Sequence, residues 1–263
     1  MDMEISLIVL LIAIGVAGSF VSGMVGIGGA IIQFPLLLYV PGWFGFEPFT
    51  VHEVSAITAV QVFFSTLSGM LVHQKSGYVH KPLVLVMGAF IIAGSFIGGY
   101  GSRLLADAAV TGVYGVLAVL AAVMMLLPKR KEVGGSPGPG TLSFNKPLAA
   151  ALAGTIGIAS GIVGAAGAFI TVPIMLVVLK IPTRVAIASS MAITFISSIG
   201  SATGKLLGGH MPLVPVIVMV AASLLASPLG AAVSKRLNTV TLQWILSALI
   251  SATVIKIGYG IFF

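Results

Sequence analysis

Cysteine is absent from this chain and charge is nearly so: 7% of its 263 residues are Asp, Glu, Lys or Arg, and only six are acidic. Without cysteine there is no disulfide, no thiolate-bound metal and no persulfide relay. An ordinary soluble domain carries roughly 25% charged residues, and no hydrophilic stretch here is long enough to make one. No Asp or Glu falls within an expected membrane core, so the usual carboxylate site for a proton or sodium ion is missing. A GxSxG motif is also missing and no nucleophile–base pair stands out, which argues against an intramembrane hydrolase; no metal site and no cofactor is expected. What fills the chain instead is apolar: 58% of residues are hydrophobic, in runs close to the ~20 residues that a spanning helix needs. A membrane β-barrel would show short alternating segments. The expected fold is therefore an all-α polytopic membrane protein. The net charge of +7 is scattered between apolar runs, which reads as a topology signal rather than a nucleic-acid surface. The acidic start, MDMEIS, lacks the basic flank of a secretory signal, so the first run is expected to be retained.

Ten apolar segments can be drawn: about 5–22, 28–40, 52–73, 82–103, 108–127, 148–163, 166–179, 184–204, 212–234 and 240–262. The Gly-, Pro- and charge-rich stretch 129–146 is the one clear linker. It divides the chain into a first repeat, 1–128, and a second, 147–263. SGMVGIGGAIIQFP at 22–35 returns as SGIVGAAGAFITVP at 160–173, with eight of fourteen positions identical. Further along, at an offset of 132, Thr58 matches Ser190, Phe63 matches Phe195, Ser65 matches Ser197, Ser95 matches Ser227 and Gly98 matches Gly230. Duplicated, Gly/Pro-interrupted apolar segments at matching places are the pattern of a transporter's binding region.

The second arm of each motif is short, about 20 Å as a helix at 1.5 Å per residue. Each motif is accordingly expected to be a broken-helix hairpin whose tip approaches the midplane. With hairpins, one side of the membrane holds Lys75, Lys81, Lys129, Arg130, Lys131, Lys146, Lys180, Arg184, Lys235 and Arg236. The positive-inside rule then makes that side and the linker cytoplasmic, both termini external and the halves inverted.

A helix starting at each tip, around Gly28 and Ala166, would aim unpaired N–H groups and a positive dipole end at a small anion. Gly23, Gly26, Gly28 and Gly29, with Gly161, Gly164 and Gly167, would let backbone come close to it. Ser22, Ser160, Gln33 and Thr171 would add polar contacts, as would the third-segment stripe of Thr58, Gln61 and Ser65 and its counterpart of Ser189, Ser190, Thr194 and Ser197. The competing explanation is packing, because small residues at tight crossings and interhelical hydroxyl bonds are common in membranes. His73 and Lys205 occupy matching positions near opposite surfaces. They could serve as gates or as a proton relay, or snorkel to the interface; snorkelling is the expected role.

These residues resemble the sulfite exporter TauE/SafE family of membrane transporters. The resemblance is carried by SGMVGIGGAIIQFPLL, by SGIVGAAGAFITVPIML and by SAITAVQVFFSTLSGMLVHQKSGYV, and runs over nearly the whole chain. The second copy differs in having Ala165–Ala166 for Ile27–Gly28 and Lys205 for His73. The resemblance implies a multi-pass protein of the bacterial cell membrane that moves sulfite, sulfoacetate or related organosulfur anions, with protons as a candidate coupling partner. The residues themselves also fit a passive anion channel of the same architecture or a membrane scaffold subunit.

Overall fold

The computed structural model describes residues 5–26, 29–74, 77–126, 144–164, 167–209, 211–234 and 236–238, together with 241, 244, 245 and 248. Within them lie α1 (Ile5–Val25), α2 (Ala30–Trp43), α3 (Val51–Gln74), α4 (Lys81–Gly101), α5 (Asp107–Leu126), α6 (Lys146–Val163), α7 (Ala168–Val177), α8 (Thr183–Gly208) and α9 (Leu213–Ser234), with a 3-10 turn at Ser102–Leu104 after α4. All but α2 and α7 are long and apolar enough to cross a membrane. The nine helices fall on the first nine expected segments. Most of the tenth, and residues 129–143 of the linker, lie outside the described residues.

Local chemistry sets the helix ends. Thr50 and Glu53 form a reciprocal box at the start of α3: the Thr50 N–H donates to the Glu53 carboxylate at 2.8 Å, and the Glu53 N–H to Thr50 Oγ1 at 3.2 Å. His80 and Asn145 cap α4 and α6 in the same way, each accepting from the N–H three residues on, with proline in the first turn. Pro35 inside α2 has no N–H to give the Ile31 carbonyl. The buried Tyr114 hydroxyl of α5 donates to that carbonyl instead, at 2.6 Å, while its ring stacks on Phe34.

The halves interlock. A Cβ on Gly23 of α1 would lie 1.9 Å from Ser227 O in α9, and one on Gly230 of α9 would lie 1.9 Å from Phe20 O in α1. Their counterparts behave alike: Gly161 of α6 meets Ser95 O of α4 at 2.4 Å, and Gly98 of α4 meets Ile158 O of α6 at 2.0 Å. These are backbone-to-backbone crossings that no larger residue permits. Contacts a turn or two earlier, Gly15 on Met219 and Ala222 and Gly94 on Gly154 and Ile158, show that α1 runs parallel to α9 and α4 parallel to α6. Between them α3 and α8 cross antiparallel, with Phe63 beside Phe195 and Gly69 beside Met191.

Candidate functional site

Each motif does fold back on itself. Gly29 lies against Gly18 and Ser22, and Gln33 reaches Gly15 and Ser19. As α2 advances it therefore retreats along α1. Gly167 meets Ile156 and Ser160 in the matching way. The reversal depends on Gly26, Gly29, Gly164 and Gly167, whose φ angles of 77°, 75°, 80° and 69° belong to the left-handed region. The new helices start at Ala30 and Ala168, two residues later than expected. Gly28 lies outside the described residues.

The two tips do not meet each other. Gly26 packs on Ile187 and Ser190 of α8, and Gly164 on Ser55 of α3. Both contacts precede the Phe63–Phe195 crossing on antiparallel helices, so the tips end on opposite sides of it. They are on the order of 20 Å apart along the axis, at 1.5 Å per residue. The starts of α2 and α7 turn back toward the crossing, Gly29 beside Ser22 and Gly167 beside Ser160.

A buried polar belt occupies the level between the tips. Phe63 and Phe195 stack obliquely with centroids 5.3 Å apart. Two residues beyond each, Ser65 donates to Ser22 Oγ at 2.9 Å and Ser197 to Ser95 Oγ at 3.0 Å. Ser227 donates to the Ser65 carbonyl at 2.6 Å. Gln61 and Gln33 both bring their amide nitrogens to Ser19 Oγ, at 2.5 and 3.4 Å. The serines and glutamines of the belt are fully buried, the two phenylalanines half-buried. Yet among the described residues Gln33 Oε1, Gln61 Oε1 and Thr194 Oγ1 have no hydrogen-bond partner. Each such group costs about 1–3 kcal/mol while it stays unpaired. Carboxamides and hydroxyls supply both donors and acceptors, so the belt can meet a polar guest of either kind without a charge of its own.

Other expected residues are already engaged. Thr58 donates to Val54 O, Thr171 to Gly167 O and Ser160 to Gly157 O, each within or next to its own helix. Ser190 bonds both Ile187 O and Gly26 O at 2.9 Å, pinning the first tip to α8, and Ser189 accepts from the His80 N–H. Gly23 and Gly161 face helix backbone, so their smallness serves packing. Lys205 does not snorkel: it is 6% exposed, and its ammonium is held by Ser102 Oγ and Ile162 O. The His73 side chain lies outside the described residues. Sequence reasoning missed Ser19, although it stands one turn before Ser22; Ser95 and Ser227 were visible as a matched pair.

Helices that span, paired hairpins broken at glycine and an enclosed polar belt define a polytopic membrane transporter. The sequence profile of the family described as Sulfite exporter TauE/SafE matches residues 11–257, and the chain belongs to that family. It is 25% identical over 252 residues to the probable membrane transporter protein YunE of Bacillus subtilis, covering 90% of this chain and 92% of that one. A probable membrane transporter protein of Xylella fastidiosa is 27% identical, covering 69% and 68%. The probable membrane transporter protein YdhB of Bacillus subtilis is 24% identical, covering 84% and 88%. No solved structure matches.

Proposed function

We propose that this transporter carries small sulfur-containing anions, such as sulfite, sulfoacetate or related organosulfonates, by alternating access between two oppositely oriented halves. The observation that carries the reading is the belt at the Phe63–Phe195 level, where, among the described residues, buried polar groups stand unpaired and no buried carboxylate is found. The starts of α2 and α7 return to this level, and a helix N-terminus favours negative charge, the more so where water is excluded. The unpaired Thr194 hydroxyl can donate to the anion, and the Gln61 amide has a second N–H beyond the one given to Ser19; Ser22, Ser65 and Ser197 line its surroundings. The opposed orientation is supported by α3 and α8, which are counterparts in sequence and run antiparallel. An inverted pair of this kind lets one half rock against the other around a fixed site.

Purified protein screened by thermal shift against sulfite, sulfate, sulfoacetate, taurine and acetate tests the substrate class. Stabilisation by sulfite or sulfoacetate is expected, with flux of the same anion in proteoliposomes. Conductance far above carrier turnover would replace the carrier by a channel. A folded protein that binds none of the anions would leave a scaffold.

A further inference from the structure

Lys205 sits in the last turn of α8 and brings a cation into the packed interior. Its ammonium donates to Ser102 Oγ at 2.7 Å, just past α4, and to Ile162 O at 2.8 Å, near the end of α6. Ser102 Oγ in turn donates a hydrogen bond to Gly99 O at 2.7 Å. Both partners of the lysine are neutral, and an ammonium has three protons to donate. Among the described residues no carboxylate is paired with Lys205. One turn earlier on the same helix stands Ser201, fully buried, with no partner for its hydroxyl among the described residues. Residues four apart share a helix face, and Ser201 presses on Gly99, whose carbonyl accepts the Ser102 hydrogen bond. A cation lacking its counter-ion and a hydroxyl lacking a partner thus border the same end of α4.

We infer that Lys205 and Ser201 form an anion-receiving subsite for the negatively charged oxygens of the substrate, separate from the central belt. It lies ten residues beyond Phe195 along α8, or about 15 Å. The inference rests on the substrate being an anion. A buried charge is expensive unless it is paired, and the arriving oxyanion is the missing counter-charge. The anion also competes with Ile162 O for the ammonium. Its binding therefore loosens the strap that ties α8 to α6 and α4 at this end, which couples occupancy to opening.

Full-length protein in detergent, titrated calorimetrically with sulfoacetate and with sulfite, provides the test, with melting temperatures measured alongside. Ser201→Ala removes no hydrogen bond present in the structure, so it should fold and melt like the parent while binding the anion roughly 10- to 100-fold more weakly. Lys205→Met should keep or raise the melting temperature without ligand and lose the ligand-induced shift. Parental affinity in Ser201→Ala, with Lys205→Met melting lower yet still binding, would make the lysine only a cap on α6 and overturn the subsite. Weakened binding in Thr194→Val but not in Ser201→Ala would place the anion in the belt alone and overturn it as well. If the parent itself is folded and binds neither anion, the anion-transport reading fails and takes the subsite with it.

Discussion

Alanine placed at three left-handed glycines separates backbone strain from crowding at the hairpin tips. Gly209, Gly26 and Gly164 have φ angles of 86°, 77° and 80°, so the backbone penalty of a Cβ is nearly the same at each. That penalty is about 1–2 kcal/mol. Their surroundings differ. Nothing lies within 4 Å of a Cβ on Gly209, whereas one on Gly26 would sit 2.7 Å from Ile187 O, and one on Gly164 would sit 1.9 Å from Ser55 O and 2.9 Å from its hydroxyl. The contacting atom at Gly164 is main chain inside α3 and cannot rotate away. Overpacking of this kind adds about 1–3 kcal/mol. The expected order of loss is Gly209→Ala, then Gly26→Ala, then Gly164→Ala, with the last exceeding the first by about 2–12 °C at about 2–4 °C per kcal/mol for a chain of this size. Thermal unfolding of the three variants in one detergent reads this directly. Equal losses in Gly209→Ala and Gly164→Ala would refute the packing of the second tip on α3.

Tyr114→Phe removes the hydroxyl's bond to the Ile31 carbonyl and should cost about 0.5–1.5 kcal/mol; a melting temperature equal to the parent's would mean that the bond adds nothing to stability. Gln61→Leu removes an unpaired buried oxygen as well as the bond to Ser19, so its loss should appear in anion affinity more than in melting temperature, and the reverse pattern would make the glutamine a packing element. Burial holds the His80 imidazole below its usual range, so its contribution to stability is complete above about pH 6.5 and is lost as the pH falls from there through the folded value. Melting between pH 5 and pH 8 should show this for the parent and not for His80→Asn, which keeps the cap by the means that Asn145 uses on α6; identical acid sensitivity in both would exclude His80. Cysteine placed at Lys75 should react with a membrane-impermeant thiol reagent only from the cytoplasmic side, and cysteine at Glu47 only from outside, the chain having no native cysteine. The opposite pattern would overturn the orientation set by the basic loops.

Helix positions and the hairpins were legible because their signals are local. Apolar runs mark spans, and the short arms 28–40 and 166–179 with glycines ahead of them mark a reversal. The partners of those helices were not legible. Gly23 and Gly161 carry identical local sequence whether they face a ligand or a neighbouring backbone; only the approach of Ser227 and Ser95 decides it. Lys205 reads as a surface lysine one turn from a helix end. Its burial comes from Ser102 and Ile162, which are 103 and 43 residues away. Tyr114 likewise looks like an interfacial aromatic until the carbonyl released by Pro35, 83 residues away from it at Ile31, claims its hydroxyl.

The two halves keep the same backbone contacts and differ in the chemistry hung on them. Gly23 on Ser227 and Gly161 on Ser95 are one crossing made twice, as are Gly98 on Ile158 and Gly230 on Phe20. Side chains at matching places diverge: Ser19, Gln33 and Gln61 of the first half stand where the second has Gly157, Thr171 and Ile193. The first half thus gathers neutral amides around Ser19, while the second buries a cation at Lys205. On the proposed alternating-access reading, matched packing lets two symmetry-related arrangements lie close in energy, because the same crossings are available to either half. A ligand, however, can bias such an equilibrium only through a difference in affinity between the two states. On the proposed reading that difference cannot come from the shared crossings. It must come from the residues that break the repeat, with the amide cluster favouring the anion in one arrangement and Lys205 with Ser201 favouring it in the other.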